Sequence, residues 1–198
     1  LESLLNCIYK LVKLLIVDNY DSFTYNLYHY VNQFLSDVVV IKNDKVKLSQ
    51  IKTFDKIILS PGPGLPNEHE NLFKIIDASI EKSLLGVCLG HQAIAEYFGA
   101  NLLNLDVVNH GVSNEISLVA TDYIFNSLPI KFNVGLYHSW SVNRKDLPKE
   151  LIITSENKEG NIYSFKHAKL DIRGVQFHPE SIMTEYGLKI IENWIKFN

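Results

Sequence analysis

The chain has 198 residues, 46% of them hydrophobic, which suits one globular domain with a full core and requires no second one. Its net charge of −3, with no cluster of Lys or Arg on any predicted helix, argues against nucleic acid as the main ligand. Two cysteines, Cys7 and Cys88, are too few for a disulfide framework, so the chain reads as a protein of a reducing compartment, the cytoplasm by default.

The first residues place Leu4, Leu5, Ile8, Leu11 and Val12 at roughly helical spacing. Lys10 and Lys13 interrupt the run, and neither a small-residue cleavage pattern nor an 18-residue apolar stretch follows, so neither a signal peptide nor a membrane span is expected. Residues 1–12 are read as an extension packing as a short helix, with partner contact as the alternative, and residues 13–198 as the domain. Cys7 is given no role.

From there strand and helix signals alternate. Strands are expected at 14–17, 38–41, 57–59 and 84–87, and helices at 23–34, 72–80 and 91–98. Asp21 or Ser22 is expected to cap the first of these helices, a simpler account of the acidic pair Asp18 and Asp21 than a cation site. Beyond Ala100 short strand candidates follow at 116–120, 133–137, 151–154, 162–166 and 172–176, and a helix at 186–197 closes the chain. The pattern predicts an α/β, flavodoxin-like three-layer fold with a mainly parallel central sheet and antiparallel additions.

Three segments carry chemistry. Gly86-Val87-Cys88-Leu89-Gly90-His91 lies between a strand and a helix, so the glycines let the backbone bend and expose the sulfur, while the N-terminus of the helix favours a thiolate. In Gln176-Phe177-His178-Pro179-Glu180-Ser181, Pro179 biases His178 towards an extended conformation, and residues two apart then project to one side. His178 and Glu180 can thus act as base and orienter for Cys88. Ser60-Pro61-Gly62-Pro63-Gly64 follows a strand and presents bare backbone, so an oxyanion hole is expected from Leu89 N–H and Gly62 N–H, with Gly64 as the alternative donor. All three segments follow strands, and ligands of open α/β sheets bind beyond the carboxyl ends of strands, so the three are expected to converge on one pocket.

With these residues the chain resembles the class I (triad) glutamine amidotransferases, from about Lys13 to the C-terminus. Val17-Asp18-Asn19-Tyr20-Asp21-Ser22-Phe23-Thr24-Tyr25-Asn26-Leu27 and Ser60-Pro61-Gly62-Pro63-Gly64 further resemble the small subunits of anthranilate synthase and aminodeoxychorismate synthase. The resemblance implies a Cys88-His178-Glu180 triad that hydrolyses L-glutamine and passes ammonia to a chorismate-using synthase large subunit. It also implies that glutamine is held by Gly62, Pro63, Gly64, Gln92, Ser139 and Trp140, without cofactor. Two departures stand out: Trp140 occupies a position usually aliphatic in the family, and Val112 one that is commonly Lys.

His29, His69, His138 and His167 lack metal-ligand spacing, and Cys88 with His91 would supply only two ligands, so no metal is expected. Neither G-x-x-x-x-G-K-[ST] nor G-x-G-x-x-G occurs, which argues against nucleotide binding. The rival readings are a stand-alone cysteine hydrolase and a catalytically idle binding subunit. The first gives no reason for the segment from Asn19 to Asn26, and the intact triad weighs against the second.

Overall fold

The computed structural model describes residues 12–197, so all of the predicted extension except Val12, Cys7 included, lies outside the described residues. In chain order the first half forms β1 (Leu14–Asp18), α1 (Thr24–Val31), β2 (Val38–Lys42), α2 (Leu48–Ile51), β3 (Lys56–Leu59), α3 (Leu72–Ala78), β4 (Ser83–Val87) and α4 (Leu89–Tyr97). The second half forms β5 (Leu102–Leu118), β6 (Lys131–Val142), β7 (Leu151–Glu156), β8 (Ile162–His167), β9 (Ile172–Val175) and α5 (Gly187–Lys196).

The strands make one sheet in the order β2-β1-β3-β4-β9-β8-β7-β5-β6. The five strands from β2 to β9 run parallel, and every pairing from β9 onward is antiparallel. This is the flavodoxin-like parallel core with antiparallel additions that the sequence predicts.

Buried parallel strands need apolar side chains on both faces, and β1 supplies them. Leu14 and Ile16 face a core shared with Leu27 and Val31 of α1 and Ile190, Ile191, Trp194 and Ile195 of α5. Leu15 and Val17 face the opposite core, with Ile51 of α2, Ile75 and Ile76 of α3 and Ile94 of α4. These two cores separate the three layers. Lys56 fastens the last helix, donating from Nζ to the carbonyls of Trp194 (3.2 Å) and Phe197 (2.8 Å), which have no helical partner at a C-terminus.

Several boundaries differ from expectation. The helix predicted over 23–34 ends at Val31, because the chain then tightens into i→i−3 bonds from Gln33 to Tyr30 and from Phe34 to Val31. The helix predicted from His91 begins at Leu89, directly after the cysteine. Neither Asp21 nor Ser22 caps this helix: Phe23 holds the N-cap position without a side-chain cap, and Asp21 Oδ1 accepts from Phe23 N–H at 2.7 Å, an Asx turn at the helix entrance. Asp18 Oδ1 meanwhile accepts from Tyr20 N–H and the Thr24 hydroxyl, so it is engaged within the loop. The strand expected at 116–120 begins at Leu102, and the one expected at 133–137 runs from Lys131 to Val142. Much of β5 is exposed, Val107 and Val108 among its residues, so half-burial imposes no alternation there. The β5–β6 register also shifts between His110 and Val112, where Gly111 adopts φ +68°.

Candidate active site

Cys88 occupies the one-residue bend between β4 and α4, with φ 51° and ψ −101°, a conformation L-residues seldom hold. The surroundings enforce it. Cys88 N–H donates to Val175 O at 2.9 Å, and Cys88 O accepts from Gln92 N–H at 3.0 Å to start the helix. The flanking glycines are required by close approach: a Cβ on Gly86 would lie 2.4 Å from the Gly90 carbonyl carbon, and one on Gly90 would lie 2.4 Å from Leu59 O. The predicted elbow is therefore built from backbone contacts between β3, β4 and α4. Its sulfur sits at the N-terminus of α4, where the helix dipole favours negative charge.

His178 and Glu180 follow β9, the parallel neighbour of β4, and this adjacency brings them to Cys88. His178 Nδ1 bonds Glu180 Oε1 at 2.7 Å, with both side chains almost wholly buried. The His178 ring is set by Phe23 at 5.4 Å and Tyr137 at 4.9 Å between centroids, both edge-on. Its Nε2 is buried and has no hydrogen-bond partner of normal geometry among the described residues, which leaves it for the sulfur. Burial pulls the imidazole towards neutrality, but Cys88 and Glu180 beside it hold the His178 pKa well above its ordinary value.

Two cavities meet at Cys88. One, of about 150 Å³, is lined by Gly62, Pro63, Gly64, Cys88, Leu89, Gln92, Tyr137, His138, Ser139 and Trp140. It contains all six residues expected to hold substrate, and it is smaller than the clefts that take drug-sized ligands. The other, of about 380 Å³, lies beyond Cys88 towards Tyr20, Asp21, Ser22, Phe23, His110 and His178. Residues 20 to 23 therefore line this second cavity, which shares Gly62, Pro63, Cys88 and Tyr137 with the first.

The loop from Ser60 to Gly64 is held more firmly than a turn-like sequence suggests. A Cβ on Gly62 would fall 2.5 Å from Leu89 Cδ2, so only glycine brings this backbone against the residue after the cysteine. Asn19 donates from Nδ2 to Ser60 O (2.8 Å), and its backbone N–H donates to Ser60 Oγ (2.9 Å). Asn19 Oδ1 accepts from Asn43 Nδ2 (3.1 Å), and the same nitrogen lies 2.8 Å from His69 Nδ1. An amide nitrogen can only donate, so His69 Nδ1 accepts and its Nε2–H donates to Pro63 O at 2.9 Å. The sequence marks Asn43 and His69 only by polar character before and after β3, and the bonds of Asn43 to Asn19 and to His69 span 24 and 26 positions.

His138, in the wall of the smaller cavity, and His91, behind it in the core, are both buried. His138 Nδ1 bonds Trp140 O at 2.8 Å, and burial, with the nearby positive charge of His178 and against that carbonyl, lowers its pKa to about 4. His91 is fully buried against Phe165, and burial drives its pKa to about 3. The described residues contain no group of three or more His, Cys, Asp or Glu side chains placed to hold a metal ion. No helix among them is long and apolar enough to cross a membrane.

Residues 15–197 match the glutamine amidotransferase class-I family. The chain is 43% identical over 197 residues to anthranilate synthase component 2 of Methanocaldococcus jannaschii, covering 93% of this chain and 96% of that one. It is 40% identical over 185 residues to aminodeoxychorismate synthase component 2 of Klebsiella aerogenes, covering 92% and 98%. A glutamine amidotransferase structure from Thermotoga maritima shares the fold, with TM-score 0.73 at 16% identity over 93% of this chain and 96% of that one. The chain belongs to the glutamine amidotransferase class-I family.

Proposed function

We propose that the protein is the glutaminase subunit of a chorismate-using synthase, hydrolysing L-glutamine to glutamate and passing ammonia to a large subunit. Cys88 attacks the carbonyl carbon of the glutamine side-chain amide, and the oxyanion is met by Leu89 N–H and Gly62 N–H. As the tetrahedral adduct collapses, the C–N bond breaks and His178 gives its proton to the departing ammonia, leaving a γ-glutamyl thioester. Water then attacks the thioester while His178 takes its proton, releasing glutamate and restoring the sulfur. Glu180 keeps the imidazole in its productive tautomer. Gln92, Gly64, Pro63 and the Ser139-Trp140 pair line the glutamine site, and the segment from Asn19 to Phe23 faces the synthase. The observation that carries the reading is the buried His178–Glu180 pair directed at a positive-φ cysteine that borders a small polar cavity.

Two products remain in play, because relatives at 40% and 43% identity are named for aminodeoxychorismate and for anthranilate synthesis. Anthranilate is the first choice, aminodeoxychorismate the alternative, and the partner decides, since this site's chemistry ends at ammonia. The test is Cys88→Ala, assayed with the purified large subunit and chorismate. Glutamine-dependent synthesis is expected to vanish and ammonium-dependent synthesis to persist; retained glutamine hydrolysis would sink the assignment. The same assay, run on the wild-type chain with and without its synthase, identifies the product and tests whether docking activates hydrolysis. Equal glutaminase activity in both conditions would favour the stand-alone hydrolase.

A further inference from the structure

Gln176 opens the segment that ends in His178 and Glu180, and the mechanism above gives it no task. It is fully buried, with its backbone N–H bonded to Tyr163 O at 2.8 Å. Phe177 enters the hydrophobic core, while Gln176 and His178, two residues apart, both turn to Cys88. The side-chain Nε2 of Gln176 lies 3.7 Å from Cys88 Sγ.

The sense of this amide follows from its neighbours rather than from its own shape. Trp140 O is a backbone carbonyl and can only accept, so the Gln92 atom 2.8 Å away is the nitrogen. That nitrogen has a second hydrogen, and the Gln176 atom 3.2 Å from it must be the oxygen. The other end of Gln176 is then NH₂, and its N–H is directed at the sulfur. One backbone carbonyl thus sets two amides in series and presents a donor to the nucleophile.

We infer that Gln176 is a positioning residue of the glutaminase site, whose amide N–H holds Cys88 Sγ in place and stabilises its thiolate form. The inference rests on the reading of Cys88 as nucleophile. Donors to a thiolate lower its energy, and a donor whose direction is already fixed does so without reorganisation. The sulfur then lies between the imidazole of His178 and the amide of Gln176. Besides that imidazole with its Glu180, the titratable groups lining the two cavities at Cys88 are Tyr137 and His138 from β6 and, on the side of the larger cavity, His110 from β5 and Tyr20 and Asp21 from the loop after β1. None of these supplies a donor directed at the sulfur from the Gln92 side. The arrangement also gives Trp140 a task for its main chain, which any residue type at that position fulfils.

The test uses the full chain and its Gln176→Met and Gln176→Leu variants, both of which remove the N–H without adding a charge beside the sulfur. Alkylation of Cys88 by iodoacetamide is followed from pH 5 to 10 by mass spectrometry of its peptide. The expected result is an upward move of the pH midpoint by about one unit in both variants, which slows alkylation about tenfold on the acid side. The plateau rate at high pH is expected to stay within about twofold of the wild type. With the synthase present, kcat for glutamine should fall about tenfold while KM stays within about threefold. A role confined to packing Gln92 would lower rates at every pH without moving the midpoint, and an unmoved midpoint in either folded variant overturns the inference. In the wild type, the Gln176 side-chain amide resonances should titrate together with Cys88, a readout independent of how the variants fold; resonances indifferent to pH would overturn it too. Cys88→Ala separates the two ideas. If it still hydrolyses glutamine, the nucleophile reading fails; if it is inactive while the Gln176 variants keep the wild-type midpoint, only the positioning role fails.

Discussion

His178 works against its surroundings in one respect, since a buried imidazole prefers to be neutral, and it is held charged only by Cys88 and Glu180. Its Nδ1 contact with Glu180 at 2.7 Å therefore serves orientation and charge together. Replacing that carboxylate with an amide keeps the shape and removes the charge. Glu180→Gln is expected to lower kcat for glutamine by roughly 10²- to 10³-fold, less than Cys88→Ala or His178→Ala, because Glu180 does not bond to the substrate. Steady-state glutaminase kinetics with the synthase present would check this, and an unchanged kcat would remove the orienting role. The residue scale also accounts for the departure at Trp140: His138 and Gln92 both bond its carbonyl, and among the described residues no hydrogen bond uses its indole. Substitution to a bulkier residue leaves those two bonds intact.

The elements explain why the cysteine is strained. The bend must pass from β4 into α4 within one residue, and Gly86 and Gly90 let the two backbones and Leu59 approach closely enough to hold it. A side chain at φ 51° carries a cost that the fold repays elsewhere. Cys88→Gly is therefore expected to be more stable than Cys88→Ala by about 1 kcal/mol, although both lack the nucleophile. Urea unfolding midpoints of the two proteins compare them directly, and equal or reversed stabilities would contradict the strain. The loop from Ser60 to Gly64 shows the complementary principle. Its glycines alone would leave it loose, and the relay from Asn19 through Asn43 to His69 fixes its carbonyls from two sides.

Across the whole molecule, Lys56 joins the first half of the chain to the last helix through the carbonyls of Trp194 and Phe197. Burial is the main reason its pKa falls to about 8, only partly offset by the attraction of Asp171 and Asp55. Between about pH 8 and 10.5 the folded chain has released this proton and the unfolded chain retains it, so Lys56's contribution to stability rises with pH across that window and is lost as pH falls through 8. The difference in unfolding free energy between the wild type and Lys56→Met should accordingly shift in favour of the wild type from pH 8 to 10.5. Denaturant titrations at several pH values would measure it, and a constant difference would show that the proton is held equally in both states. By itself the sequence determined the alternating core strands, the cysteine elbow, the His178–Glu180 pair and the glycine loop, because each is written in residues adjacent along the chain and governed by local sterics. Only the tertiary structure decided the length of β5, much of which is exposed and so has no buried face to impose a pattern, and its pairing along the more buried β6. It also decided the relays through His69 and Gln176, whose hydrogen bonds span up to 88 positions and take their sense from distant backbone carbonyls.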